Sequence, residues 1–394
     1  MCNLTKEVED KDKTIKELTA KKATKVTVGK VNTTSIGSSV VITGKVTDAS
    51  GAALNNMPVS IKINAVSTKV VTSANGVYKY TTTAWNIGTN NVTVSSIAND
   101  KYTSSSAKTT FKVNKATPKI NIDVVSSVRF KDKVTVTGTF TDANGKVLSG
   151  VKLTVKVNGK SVSVKTAKDG SFKYTTTATA MGTNNVTVTY AGNTKYNKVT
   201  KKATFKVVKQ DLVLTVDRVA ASVKFKDDLA ISGKLVDGNG KAVMNTQVTI
   251  KINDKTYRAK TDKNGLYVLK IRATIMGANN VVASYAGNAK YNKASAETSF
   301  TVAKQDLLIT FDEVTYANGK VTVKGTFIDR NKRPLMNSLT RVTLNGKQGT
   351  AKTNTNGTFT YTTKANKGAY KLTLAYPGNV RYNAYSKTST ISVA

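Results

Sequence analysis

The chain contains no histidine, a single cysteine and four prolines in 394 residues. Without histidine it lacks the commonest general base and the commonest nitrogen ligand for metals. A His-dependent triad, a His-ligated zinc site and a histidine haem ligand are thereby excluded. One cysteine, Cys2, allows no intrachain disulfide, so stability must come from core packing and backbone hydrogen bonds. So few prolines argue against a Pro-rich stalk. Glutamate is almost absent after the first residues, leaving Glu297 and Glu313. Paired carboxylates for acid–base work are missing, as are G-x-S-x-G, P-loop and G-x-G-x-x-G strings. We expect no catalytic residues, no metal site and no cofactor. No apolar run reaches the ~18 residues a membrane-spanning helix needs, and "MCNLTKEVEDKDKTIKEL" has no apolar core of a signal peptide. The chain stops within what reads as a final strand, so the sequence is expected to be part of a longer protein.

What is present is repetition. Gly44, Gly138, Gly233 and Gly325 fall in "ITGKVTD", "VTGTFTD", "ISGKLVD" and "VKGTFID", spaced by 94, 95 and 92 residues. Gly76, Gly170, Gly265 and Gly357 repeat with the same three spacings. Two landmarks moving in step define four units, 24–115, 116–209, 210–304 and 305–394, after an N-terminal segment, 1–23. This period is far longer than a helical solenoid repeat. It suits one small sandwich domain of ~100 residues.

Within a unit the apolar period is two. In the second, "KINIDVV" (Lys119–Val125), "KVTVTGTFT" (Lys133–Thr141), "VKLTVKVNG" (Val151–Gly159), "SVSVKTA" (Ser161–Ala167), "SFKYTTT" (Ser171–Thr177), "NNVTVTY" (Asn184–Tyr190) and "KATFKVV" (Lys202–Val208) read as seven strands rich in Val, Thr and aromatics. Turns follow from "DASGA", "DANGK" and "DGNGK", and from Asp-Gly or Asn-Gly strings such as "KDGSFKY", read as hairpin turns. Asp48, Asp142, Asp237 and Asp329 are expected to be turn residues. Although "DxNG" resembles the start of an EF-hand loop, no glutamate closes one. After each second turn, Tyr78/Tyr80, Phe172/Tyr174, Tyr267/Leu269 and Phe359/Tyr361 share a strand face, read as the core face. The fold class is therefore all-β: four tandem immunoglobulin-like antiparallel β-sandwiches of about seven strands each. They are preceded by a short helix over about residues 4–20. Leu4, Val8, Ile15 and Leu18 there fit heptad positions, which could end a coiled coil and support self-association. The antibody Cys-Trp-Cys core is missing; Trp85 occurs in the first repeat alone, with Thr179 in its place in the second. Short joints, "NKATP", "VKQDL" and "AKQDL", limit swinging between neighbours. Strands of this length imply an extended rod of very roughly 150 Å.

Net charge is +38, distributed as +1 over residues 1–23 and +8, +13, +7 and +9 over the four repeats. Such a field attracts anionic glycans, membranes and nucleic acids alike. Its even spread, with lysines alternating with apolar residues on strands, reads as solvated strand faces. A nucleic-acid module would concentrate it in one stripe. The N-glycosylation sequons are at Asn3, Asn32, Asn91, Asn185 and Asn356. The string "VTYAGNTKYNK" (Val188–Lys198) recurs as "SYAGNAKYNK" and "AYPGNVRYNA". It offers loop candidates for binding, Tyr190, Asn193, Tyr196, Tyr285, Asn288, Tyr291, Tyr376, Asn379 and Tyr382. The competing reading is that these tyrosines close one end of each sandwich.

The carriers "VTVTGTFTDANGKVLSGVKLTVKVNG", "KDGSFKYTTT" and "GTNNVTVTYAGNTKYN" make residues 24–394 resemble the tandem Ig-like repeats of adhesin-like surface proteins of methanogenic archaea and gut bacteria. Repeat one departs from the pattern with "SSIANDKY". The resemblance implies a secreted, non-catalytic protein of the cell surface. Its partners would be anionic glycan or protein surfaces of a host, a neighbouring cell or a cell wall, with no small-molecule substrate. An accessory region of a larger surface or phage-tail enzyme, and a polyanion- or nucleic-acid-binding protein, are the alternatives.

Overall fold

A computed structural model describes residues 6–13, 20–217, 219–220 and 222–393. The protein is all-β, with four tandem β-sandwiches after a short N-terminal helix. Residues 6–13 are helical, and Lys11 meets Glu7 one turn away at 3.2 Å in an exposed pair. Val8 is exposed, and the other heptad positions lie outside the described residues. The chain divides into two compact units, one of Met1–Val128, Lys133–Thr177 and Gly182–Lys206, the other of Arg129–Asp132, Ala178–Met181 and Val207–Ala394.

In the first unit, each sandwich pairs a three-stranded sheet with a five-stranded one. In repeat 2, Lys133–Thr141 is the centre of the smaller sheet, flanked by Lys119–Val124 and Ser171–Thr177. The larger sheet runs in the order Ser127–Arg129, Val199–Val208, Gly182–Tyr190, Lys152–Val157, Lys160–Lys165. Alternate residues Val134, Val136, Leu153, Val155, Val186 and Val188 are fully buried between the sheets. Repeat 1 has the same layout, with Ile42, Val59, Ile61 and Val94 at its centre. At ~25 cal/mol per Å² of buried apolar surface, such two-layer cores are what replace disulfides.

In the second unit, repeat 3 follows the same three-plus-five pattern and repeat 4 has three plus four. The seven expected strands are all present. Repeats 1 to 3 add an eighth because the first strand breaks after a few residues. A short second piece then crosses to pair with the last strand in parallel, as in Thr34↔Val113 and Ser222↔Thr301. Repeat 4 keeps Leu307–Ala317 as one strand of the smaller sheet, with a bulge between Phe311 and Glu313. It then turns at Asn318–Gly319, both at positive φ.

The landmark glycines have a steric cause. Gly44, Gly138, Gly233 and Gly325 sit opposite Tyr78, Phe172, Tyr267 and Phe359 on the neighbouring strand. A Cβ on Gly138 would lie 2.0 Å from the carbonyl of Asn121 and 2.6 Å from the Phe172 ring. The aromatic ring thus lies across the glycine and fills the space a side chain would take. The four aromatics are buried, whereas Tyr80, Tyr174, Leu269 and Tyr361, on the same face two residues later, are half-buried.

One turn reading needs correction. The strings at Gly76, Gly170, Gly265 and Gly357 are not hairpin turns: Lys160–Lys165 lies in the larger sheet of repeat 2 and Ser171–Thr177 in the smaller. The turn crosses between sheets because its glycine, at φ 75°, points its carbonyl at the smaller sheet and accepts the Phe140 N–H at 2.9 Å. Two-residue hairpins occur instead at Asn158–Gly159 and its counterparts, where Asn64, Asn158, Asn253 and Asn345 take positive φ. Trp85 is exposed and belongs to no core.

Candidate functional site

The tyrosine loops are rigid turns. Asn193 Oδ1 accepts the N–H groups of Lys195 and Tyr196, both at 2.8 Å, while Asn193 N–H donates to the Tyr196 carbonyl at 2.9 Å. Asn288 and Asn379 repeat this pattern with Tyr291 and Tyr382. Asn99 repeats it with Tyr102 in the divergent first repeat. Each asparagine carbonyl is thus occupied by its own backbone. The first tyrosine packs inward: Tyr190 lies 5.0 Å from Phe140 and Tyr376 6.2 Å from Phe327, ring to ring, while Tyr285 is half-buried. Burial raises the pKa of Tyr190, Tyr285 and Tyr376, and the neighbouring second tyrosine adds to the shift in each.

In repeats 3 and 4 the second tyrosine meets a ring of the preceding repeat. Within the second unit, Tyr382 of repeat 4 meets Phe225 of repeat 3 edge-on at 5.6 Å, and the Arg381 guanidinium covers the same ring at 5.4 Å. The backbone of Gln305 clips to this loop, donating to the Arg381 carbonyl and accepting from Asn383, both at 2.9 Å. Its buried side chain crosses to repeat 3. There Nε2 donates to the Phe225 carbonyl at 3.0 Å and to Asp227 Oδ1 at 2.8 Å. Asn331 Nδ2 donates to the same Asp227 oxygen at 2.7 Å. Asp306 accepts from Asn383 Nδ2 at 2.7 Å and pairs with Lys224. The Arg333 guanidinium donates to the Lys226 carbonyl and pairs with Asp228 at 3.0 Å. For Asp306, the bonds from Lys224 and Asn383 hold the carboxyl below its ordinary range. For Asp227, burial pushes upward but the donors from Asn331, Lys224 and Gln305 outweigh it, leaving the pKa lowered.

The turn Arg129–Asp132, which belongs to the second unit, repeats this arrangement. Gln210 Nε2 reaches the Phe130 carbonyl at 3.0 Å and Asp132 Oδ1 at 2.6 Å, and Asn239 Nδ2 reaches Asp132 at 2.7 Å. Phe130 meets Tyr291 edge-on at 5.6 Å, with Lys290 over its ring at 5.4 Å. Arg129 pairs with Asp211 at 2.8 Å.

The first joint, within the first unit, is built differently. By the same spacings, Ile36, Gly37 and Ser38 stand where Phe130, Lys131 and Asp132 stand, and Ala116 stands where Gln210 does. Ala116 keeps the backbone bridge to its own loop at Tyr196 but has no donor to send across. Lys115 Nζ instead donates to the Asn193 carbonyl at 2.8 Å. In repeat 4 the corresponding triplet is Ala317, Asn318 and Gly319, with neither ring nor carboxylate.

In sequence, Gln210 and Gln305 lie within "VKQDL" and "AKQDL" and look like parts of short connections. The matched strings "RFKD" (Arg129–Asp132) and "KFKD" (Lys224–Asp227) are as easily passed over. A glutamine recurring at one register, with a recurring Phe-Lys-Asp about eighty residues before it, was the available signal. Asp48, Asp142, Asp237 and Asp329 serve their turns: Asp142 Oδ1 accepts from Asn144 and Lys146 N–H at 2.9 Å, Asp48 and Asp237 bind their turn N–H groups likewise, and Asp329 accepts from Arg333 N–H. Among the described residues no three of His, Cys, Asp and Glu gather to hold a metal, and no helix is long and apolar enough to cross a membrane. Asn32, Asn91, Asn185 and Asn356 are exposed, and Asn3 lies outside the described residues.

No protein-family model matches the chain. Among solved structures it is similar to invasin, a bacterial integrin-binding protein, at 16% identity, covering 94% of this chain and 79% of that one, with a TM-score of 0.39. It is also similar to a Ca2+-stabilized adhesin with which an Antarctic bacterium binds ice, at 16% identity, 94% and 100% coverage and a TM-score of 0.28. Titin domains A168–A170 match at 10% identity, 71% and 100% coverage and 0.33. These are likenesses of tandem sandwiches, at low identity.

Proposed function

We propose that this chain is a non-catalytic, adhesin-like segment of a cell-surface protein, whose repeats act as a jointed stalk and as a repeated contact surface for anionic partners. The observation that carries the reading is the joint between repeats 3 and 4. Gln305, Asp227, Phe225 and Tyr382 bring side chains of both sandwiches into contact across the joint, which is what an array that transmits position or load requires. Among the described residues the lowered carboxyls belong to turns and joints. Repetition lets weak contacts sum without a strong single site, and the positive charge supplies them. The adhesin-like resemblance of the repeat motifs points the same way.

The test is retention of the protein on immobilised acidic glycan or cell wall over a salt series. Screening shortens the reach of exposed charges to about 10 Å at 0.1 M and about 3 Å at 1 M, so retention should fall steeply as salt rises. Retention that ignores salt would remove the electrostatic part of the reading.

A further inference from the structure

The spread of positive charge along the chain conceals an unequal spread between faces. On the strands of the larger sheets of repeats 1 and 2, as on those of repeat 4, there are several basic residues and not one aspartate or glutamate; what sets repeats 1 and 2 apart is how their lysines fall into register. Their registers align these lysines into rows across the outer face. In repeat 1, Lys62 lies opposite Thr93, which in turn lies opposite Lys108. In repeat 2, Lys156 lies opposite Thr187. The contact of Thr189 with Thr200 at 3.1 Å sets the next register and brings Lys202 to the other side of Thr187. Each row reads Lys-Thr-Lys, the two charges separated by one strand, or about 10 Å at ~4.8 Å per strand. The same rows read Lys251–Val282–Glu297 in repeat 3 and Thr343–Thr373–Thr388 in repeat 4.

These lysines do not serve the fold. Lys152 and Lys165 are directly opposed on neighbouring strands, an arrangement that destabilises a sheet. Among the described residues, none of Lys62, Lys108, Lys152, Lys156, Lys165 and Lys202 is paired with a carboxylate. All six are exposed. Between them the outer face carries threonine, serine and asparagine, which can hydrogen-bond hydroxyl and carboxylate groups. It carries no aromatic platform of the kind on which bases of single-stranded nucleic acid stack.

We propose that the outer faces of the larger sheets of repeats 1 and 2 are docking surfaces for a linear acidic polysaccharide, its carboxylate or sulfate groups seated on the Lys-Thr-Lys rows. Repeats 3 and 4 contribute little to this binding. The assignment rests on the electrostatic reading above and narrows it to two faces.

The experiment compares the full chain with two charge-matched variants on polygalacturonate and on dextran sulfate at low salt. The first carries K62Q, K108Q, K156Q and K202Q. The second carries K255Q, K260Q, K347Q and K352Q, from exposed strand positions of repeats 3 and 4. Melting curves of both should match the parent, since none of the eight side chains is buried. The face variant should bind about tenfold more weakly, and the control within about twofold of the parent, as four exposed ion pairs lost, two from each face, would give. Equal weakening in both variants would overturn the faces while leaving the electrostatic reading intact. Failure of the parent to bind either polymer would overturn both. Tighter binding to single-stranded DNA than to either polysaccharide, lost in the face variant, would overturn the choice of partner.

Discussion

The first and third joints connect the same kind of sandwich by chain segments of similar length, yet only the third is closed by side chains from both neighbours. At the third, a buried glutamine, a carboxylate and an edge-to-face aromatic pair meet. At the first, the corresponding positions hold alanine, serine and isoleucine, and Ile36 packs against its own core. A repeat can therefore copy its fold without copying its ends. Strand registers depend on the alternation of the whole strand, whereas a joint depends on four or five side chains.

Phe225→Ala removes a buried ring that Tyr382 and Arg381 both contact. It should cost about 3 kcal/mol, the low end for such truncations. Calorimetry should then resolve the melting of repeats 3 and 4, leaving repeats 1 and 2 unchanged. Gln305→Ala leaves the buried Phe225 carbonyl without its side-chain donor, for about 1–3 kcal/mol. Because Asp227 retains Asn331, the separation should be smaller than for Phe225→Ala. A single transition in both variants would mean that the joint does not couple the two repeats.

Ile36→Phe with Ser38→Asp and Ala116→Gln transplants the third joint onto the first, where Gly37 already supplies positive φ. The melting of repeats 1 and 2 should move closer together by an amount on the order of 1 kcal/mol, that of one net hydrogen bond.

Acid should separate the joints next. Asp227 and Asp306 have lowered pKa values in the folded protein. Their contribution is fully present above the unfolded value of about 3.9. It is lost as pH falls through the lower folded values, because protonation then favours the unfolded chain. Acid below about pH 3.9 should therefore loosen the third joint before it affects the first. The smallest difference lies inside the sandwiches. Tyr78 and Tyr267 donate to the carbonyls of Thr27 and Thr215 at 2.7 Å, and burial pushes both hydroxyls up to about 12. Their stabilisation is complete below the unfolded value of about 10 and is lost as pH rises toward 12. Repeats 2 and 4 carry Phe172 and Phe359 there, so Tyr267→Phe should remove one alkaline titration and reduce the alkaline weakening of repeat 3 alone.

Most of the fold was legible because it is written in local alternation. Lys133–Thr141 and Ser171–Thr177 begin and end where the period-two pattern does. The glycine landmarks were legible as positions but not as causes, since the ring across each one arrives from a strand more than thirty residues away. The crossing turns looked like hairpins because an Asn-Gly or Asp-Gly string fixes a turn without saying which sheet receives the next strand. The joints were the least legible. Gln305 and Asp227 are separated by 78 residues, and Asn331 and Asp227 by 104. Each looks like an ordinary loop residue until the fold brings them together. The tyrosine loops fall between these cases: their place at one end of the sandwich followed from the repeat, but the contact of Tyr291 and Tyr382 with the preceding repeat did not.

The joint residues also impose a grammar on duplication. A gene built of repeated units lengthens when copies misalign during exchange. An extra copy of repeat 3 would present Phe225, Lys226 and Asp227 to another Gln210-type partner, so each new seam would close with matched chemistry. An extra copy of repeat 4 would set Ala317, Asn318 and Gly319 against Gln305, burying an amide with no carboxylate to receive it. Insertion of another repeat 3 is thus tolerated, whereas insertion of another repeat 4 is penalised at the seam it creates.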